Sequence, residues 1–298
     1  MGTATAYAIV ISGLVNELVL VDINRSKAEG EAMDIAHGAS FVKPVNIYAG
    51  DFSQCLDADI IIYTAGAAQK PGESRLDLAA RNTAILKETL SEIIYPDSKS
   101  ILLVVANPVD VLTYAALKTI KMPPGKVLGS GTVLDTSRFR YLISRHCLVE
   151  PRNIHAHVAG EHGDSEVLLW STANIAGISI DKFCDRRGLS VPDRNTISSG
   201  VRRAAYEVIA RKGYTCFAIG LAVKRICECI LRDESSILTV SGLLSEEYGL
   251  NNVCMSLPSI VNREGRAITL EVSLAEDEKS ALQRSAQALR QVLDNLKI

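Results

Sequence analysis

Two kinds of hydrophobic patterning divide the chain. Up to residue 129, short apolar runs alternate with helical stretches. Residues 17–22, 46–48, 59–64, 101–106 and 126–129 read as strands, and 4–12, 26–37, 76–94 and 108–118 as helices. The segments "DIIIYT" and "ILLVVA" are apolar without interruption, as parallel strands covered on both faces are. This succession predicts a doubly wound α/β sheet. Past Gly131 the pattern becomes α+β. Helices are expected over 136–146, 195–211 and 215–231, strands over 253–261 and 267–272, and a last helix from 274 onward. The expected organisation is therefore two domains, 1–131 and 132–298.

Composition changes this picture little. The chain has 298 residues, 47% of them hydrophobic and 22% charged, with a net charge of −2. No global field points to a nucleic-acid or membrane partner, and no apolar run reaches the length of a membrane span. The seven cysteines are scattered without metal-ligand spacing, so no metal is expected and a reduced, cytoplasmic compartment is the simplest reading.

The opening, "MGTATAYAIVISGLVNELVLVDIN", carries half of a motif. A dinucleotide-binding unit runs strand, glycine turn, helix, second strand, and closes on an acid about twenty residues past the glycines, where it bonds a ribose hydroxyl. Asp22 ends "LVLVD" twenty positions after Gly2. Gly2 thus fits the third glycine of G-x-G-x-x-G, the first strand and first two glycines being absent from the chain. The strands "ELVLVD" and "ADIIIYT" are then expected to show unpaired edges, with poor folding or weak cofactor binding as the consequence. Read without the motif, Gly2 is an ordinary helix start.

Further motifs carry chemistry. In "VAGEHGDSE", His162 lies among acids and glycines and can exchange a proton near neutral pH, although a lone histidine is more often structural. "GSGTVLDTSRFRYL" offers Asp135 and Arg138 three apart on one helix face. The acid can orient an imidazole and raise its pKa, and the arginine can grip a carboxylate. The bland alternative is a helix cap and a surface arginine. "TAGAAQKPGESRLDL" follows a buried strand and reads as a loop able to close over a substrate, with Gln69 and Arg75 on it.

Taken together, "VDIN", "TAGAAQKPGESRLDL", "NPVD", "GSGTVLDTSRFR", "GEHGDS" and "RKGYT" resemble, in order and spacing, the successive signatures of the lactate/malate dehydrogenase family. The resemblance covers essentially the whole chain. It implies a Rossmann-type sheet followed by an α+β substrate domain, NAD as cofactor, and reversible NADH-dependent reduction of a 2-oxo acid. Residue by residue, it makes His162 the proton donor and acceptor, Asp135 its carboxylate partner and Arg138 the grip on the substrate carboxylate. Arg75 becomes the loop arginine that polarises the carbonyl. Gln69, Asn107 and Thr215 fall at the substrate, and Gly2, Asp22, Lys27, Gly66, Ala67, Val105, Asn107 and Ser130 at the cofactor. Arg140 and His155 match a fructose 1,6-bisphosphate site between subunits of a homotetramer. Members that act on malate carry arginine where this chain has Gln69, so the amide favours pyruvate and L-lactate. Asp22 would repel a 2′-phosphate and favours NAD over NADP. The alternatives are a malate dehydrogenase and a non-catalytic member.

Overall fold

The computed structural model describes residues 1–67, 72–93 and 98–298. The first half alternates as its pattern predicts. It contains α1 (Gly2–Ser12), β1 (Glu17–Leu20), α2 (Arg25–His37), β2 (Asn46–Ala49), β3 (Ile60–Tyr63), α3 (Arg75–Ile93), β4 (Ile101–Val104), α4 (Val109–Thr119) and β5 (Val127–Gly129). There follow α5 (Val133–Cys147) and five two-residue strands, β6 (Ile154–His155), β7 (Val158–Ala159), β8 (Val167–Leu168), β9 (Asn174–Ile175) and β10 (Ile178–Ser179). Next come α6 (Ile180–Arg187), α7 (Arg194–Lys212), α8 (Phe217–Leu231), β11 (Ser236–Leu238) and β12 (Ser241–Ser245). The chain then runs through β13 (Asn251–Ser256), β14 (Ser259–Asn262), β15 (Gly265–Thr269) and α9 (Glu276–Asn295).

Strand β4 is buried along its whole length, and its side chains alternate between two cores. Leu102 and Val104 pack with Leu86 and Leu90 of α3 and Leu112 of α4. Ile101 and Leu103 pack with Ile9 of α1 and Val223 and Ile226 of α8. The helix that covers this second face thus comes from the far half of the sequence. It approaches α1 closely: a Cβ on Gly220 would lie 2.8 Å from the Ala4 carbonyl oxygen.

The sheet itself also crosses the expected boundary at residue 131. β3, β4 and β5 pair in parallel, and β12 and β13 then extend the sheet antiparallel, Ser241 opposite Gly129. On the other side β1 pairs in parallel with β2 alone. Among the described residues no strand joins β1 to β3.

One expectation needs correction, and two sets of elements have no counterpart in the expected pattern. The strand expected over 253–261 is two strands, β13 and β14, parted by Leu257–Pro258, because proline has no N–H for the ladder. β12, "SGLLS", has too few apolar residues in alternation to register as a strand. α6 and the strands β6 to β10 are too short for any periodicity to reveal. Among the described residues no helix is long and apolar enough to cross a membrane.

The junction of the two halves is tight. Gly131 has φ +50°, and a Cβ there would lie 2.7 Å from the Thr239 carbonyl oxygen. Thr132 donates its N–H to that carbonyl at 3.1 Å, and its hydroxyl donates to the Val158 carbonyl at 2.5 Å. Gly131→Ala therefore meets both backbone strain and a collision. It is expected to lower stability by about 1–3 kcal/mol, read as a fall in thermal midpoint; an unchanged midpoint would show that the junction relaxes freely.

Candidate active site

Three strand ends line one rim of the sheet. The segment after β3 reaches Gly66 and Ala67, the segment after β4 carries Val105 and Asn107, and Ser130 follows β5. Asn82, buried in α3, ties two of these together. Its Oδ1 accepts from the Ala67 N–H at 2.8 Å, and its Nδ2 donates to the Asn107 carbonyl at 2.8 Å and to the Ala67 carbonyl at 3.3 Å. Both polar backbone groups of Ala67 are thus engaged within the protein. Val105 and Ser130 are buried and Asn107 is exposed at the rim. The peptide between Asn107 and Pro108 is cis.

The residues at the start of the sheet suit a dinucleotide. α1 begins at Gly2 with no side-chain cap and no acid in its first turn, which leaves its positive end open to a phosphate. A Cβ at Gly2 would stand 2.9 Å from Thr64 Oγ1, just past β3, so a larger residue there would require the Thr64 side chain to shift. Asp22 follows β1, exposed, its carboxylate accepting from the Asn24 N–H at 2.9 Å. Asn24 in turn accepts from the Lys27 N–H at 3.1 Å and caps α2; the Lys27 side chain is exposed.

The candidate reacting groups gather on α5, which follows Ser130, and on the loop before β8. Asp135, in the first turn of α5, is 2% exposed and bonded on both oxygens. Its Oδ1 accepts from Arg138 Nη1 at 2.7 Å and its Oδ2 lies 2.6 Å from His162 Nδ1. Burial alone would raise the Asp135 pKa, but His162 and Arg138 outweigh it and hold the carboxyl below its usual range. The converse holds for His162. Burial opposes its charge, yet Asp135, with Asp110 and Glu166 beyond it, lifts the imidazolium pKa to about 9.

The loop that presents His162 is fastened from four elements. Gly160 exchanges two backbone bonds with Ser256 of β13, at 2.8 and 2.9 Å. Ser285 of α9 accepts from the Glu161 N–H at 2.8 Å. Asp110 of α4 accepts from the His162 N–H at 2.7 Å, and its other oxygen takes the Ser241 hydroxyl at 2.5 Å. Arg202 of α7 donates to the Glu166 carbonyl at 2.9 Å. Sequence reasoning missed Asp110, Ser285, Arg202 and Asn82. Asp110 alone had a signal, as the buried acid of "NPVD"; the others sit on helices with no motif.

Arg75, the first residue of α3, reaches across to the same loop. Its Nη1 pairs with Asp164 Oδ2 at 2.7 Å and its Nη2 donates to the Tyr206 hydroxyl, which also donates to Asp164 at 3.1 Å. Thr215 is half-buried between α7 and α8. Gln69 lies outside the described residues. Arg140 and His155 are not brought together by a direct bond. Arg140 donates to the Ala156 carbonyl at 2.9 Å and lies 3.4 Å from His157 Nε2, whereas His155 is exposed. Burial, then the charges of Arg140 and His155, push the His157 pKa down to about 4.

A buried aspartate–histidine pair beside an arginine and a nucleotide-type rim matches known proteins along the whole chain. Residues 1–129 match the lactate/malate dehydrogenase NAD binding domain, and residues 132–297 the lactate/malate dehydrogenase alpha/beta C-terminal domain. The chain belongs to the lactate/malate dehydrogenase family. Among its relatives are the L-lactate dehydrogenases of Thermoanaerobacter sp. (strain X514), 52% identical over 100% of this chain and 96% of that protein, and of Acetivibrio thermocellus, 51% identical over 100% and 95%. Among solved structures, a lactate dehydrogenase from a Medee basin deep-sea metagenome library has TM-score 0.96 at 43% identity, covering 100% of this chain and 96% of its own. The minor L-lactate dehydrogenase of Enterococcus mundtii in its ligands-bound form gives 0.94 at 38%, covering 99% and 95%.

In this family member Asp135 sets the charge of His162, and the sign follows directly. Its raised pKa makes the charged imidazole a stabilising group at neutral pH, a contribution lost as pH rises through about 9. Asp135→Asn should bring the His162 ring pKa down by about one unit or more, toward the ordinary value near 6.5. An NMR titration of the ring checks this; an unmoved midpoint would assign the shift to other groups.

Proposed function

We propose that the chain catalyses the NADH-dependent reduction of pyruvate to L-lactate and its reverse. The observation that carries this reading is the buried contact of His162 Nδ1 with Asp135 Oδ2 at 2.6 Å, beside Arg138. With Nδ1 committed to the carboxylate, Nε2 is the nitrogen left to give a proton to a substrate oxygen. Arg138 has donors beyond the one spent on Asp135, and a planar guanidinium can hold the substrate carboxylate by two parallel bonds. Arg75 places its charge beside the same loop, where it can polarise the carbonyl as negative charge grows on its oxygen. NADH, when bound at the rim, supplies the hydride. In pyruvate reduction His162 Nε2 gives its proton to the substrate's carbonyl oxygen. In the reverse direction neutral His162 accepts the proton of the lactate hydroxyl.

Pyruvate is preferred to oxaloacetate on two grounds. Gln69 offers no charge for a second carboxylate, and the relatives at about half identity carry the name L-lactate dehydrogenase. The test is NADH oxidation with each substrate. Pyruvate should be the better one by kcat/KM, and His162→Asn should lose about 10²–10⁴ in kcat while still binding NADH. Faster turnover of oxaloacetate would move the chain to malate, and near-normal turnover by the variant would remove His162 from the chemistry.

We also propose a homotetramer in which fructose 1,6-bisphosphate binds between subunits through Arg140 and His155. The exposed apolar side chains of Tyr206, Ile209, Tyr214, Phe217 and Leu221 on α7, α8 and their connection supply surface for such contacts. Phosphate would compete with His157 and the Ala156 carbonyl for Arg140. Titration with the sugar bisphosphate at sub-saturating pyruvate should lower the apparent KM; no change near pH 7 would exclude the site.

A further inference from the structure

Three carboxylates are buried around His162, and they are not equivalent. Asp110 uses both oxygens, for Ser241 and the His162 N–H, and Asp135 uses both, for Arg138 and His162. Glu166 does not. It stands four residues past His162, directly before β8, and is 2% exposed. Its backbone is held at both ends, the N–H by the Gly163 carbonyl at 3.3 Å and the carbonyl by Arg202 Nη2 at 2.9 Å. Its side-chain Oε1 is buried and accepts no hydrogen bond among the described residues. A charged carboxylate oxygen deprived of both water and donors is costly, and a proton lowers the cost.

The charges around it give this proton a role. Asp135 and Arg138 on α5, Arg202 on α7 and His162 on its own loop all act on Glu166, and Asp110 of α4 lies on the backbone side of His162. With Glu166 neutral, the first four groups leave two net positive charges for an incoming anion when His162 is charged. Ionised Glu166 cancels one of them. Burial first, and then the charge of Asp135, push its pKa up to about 8 against the pull of His162, Arg202 and Arg138.

On the reading that the site takes pyruvate at Arg138, we propose that Glu166 is a second proton-binding group of the substrate site, one that must carry a proton for the anionic 2-oxo acid to bind. The substrate's carboxylate occupies the field of Arg138, which is one of the cations that favour ionised Glu166. The bound anion therefore holds the proton on Glu166 more firmly still. Well below pH 8, near pH 6.5, the proton is already present and binding is unaffected. Above pH 8, binding must take up a proton at Glu166 as well as the fraction lost from His162.

The experiment uses the NADH-loaded enzyme and oxamate, an unreactive isostere of pyruvate. Calorimetry at pH 8.5 in two buffers of different ionisation enthalpy counts the protons taken up. With pKa values of about 8 and about 9, Glu166 and His162 together should take up about one proton, whereas His162 alone could supply only about a quarter. Glu166→Gln should abolish the share that Glu166 supplies, leaving only the uptake by His162. At pH 9 it should bind oxamate about tenfold more tightly than the unaltered enzyme, with the two affinities meeting near pH 6.5. Uptake near a quarter in the unaltered protein, a count that needs no variant to fold, overturns the proposal. So do superimposable pH profiles for the two proteins. Absence of oxamate binding at every pH would instead overturn the substrate reading on which it rests.

Discussion

The site depends on one buried contact, that between Asp135 and His162. Two charges withdrawn from water are stable only when each is fully served. Asp135 meets this condition by bonding Arg138 with one oxygen and the imidazole with the other. The arrangement does three things at once. It holds the ring's tautomer, raises its proton affinity, and fixes the Arg138 guanidinium beside the same carboxylate. Because Asp135 and Arg138 are three apart in the first turns of α5, one helix start delivers both.

His162 itself has no such local support, and this explains much of the surrounding architecture. Its loop lies between β7 and β8, two strands of two residues each, which cannot hold a loop in place by themselves. Position is imposed from outside, by Asp110, Ser256, Ser285 and Arg202, from α4, β13, α9 and α7. The same logic governs the rim. Asn82 on α3 spans the ends of two strands, tying the backbone after β3 to the backbone after β4. The sheet that crosses residue 131 belongs to this scheme. With β12 and β13 added to β5, the loop-anchoring Ser256 and the strand-end Ser130 sit on one hydrogen-bonded framework.

Charge is distributed with the same economy. Among the acids near His162, Asp110 and Asp135 are served by donors, and Glu166 is left with an unbonded oxygen. Arg75 has been drawn to Asp164 and Tyr206 on the outer side of the His162 loop, so its guanidinium approaches the site through exposed contacts. Exposed pairs of this kind are worth little in stability. Arg140 is the opposite case, largely buried and turned inward to Ala156 and His157.

The sequence alone determined the elements with strong period and singled out His162, Asp135 and Arg138, which the fold brings together. Continuous apolar runs such as "ILLVVA" mark strands buried on both faces, since local composition and final burial coincide there. His162, Asp135 and Arg138 were readable because motif spacing and helix geometry place them, and the family resemblance assigned their roles. Only the tertiary structure decided that α8 completes the first half's core and that β12 and β13 join its sheet. It also decided that Asp110, Ser285, Arg202 and Asn82 hold the site. Those contacts join residues 52 to 131 positions apart in the cases of Asp110 with His162 and with Ser241, and 124 in that of Ser285 with Glu161. No local pattern encodes them, because a serine or aspartate on a helix looks the same whether it faces water or a loop from the other end of the chain. The state of Glu166 belongs to the same class: its charge is set by what surrounds it, and what surrounds it exists only once the chain has folded.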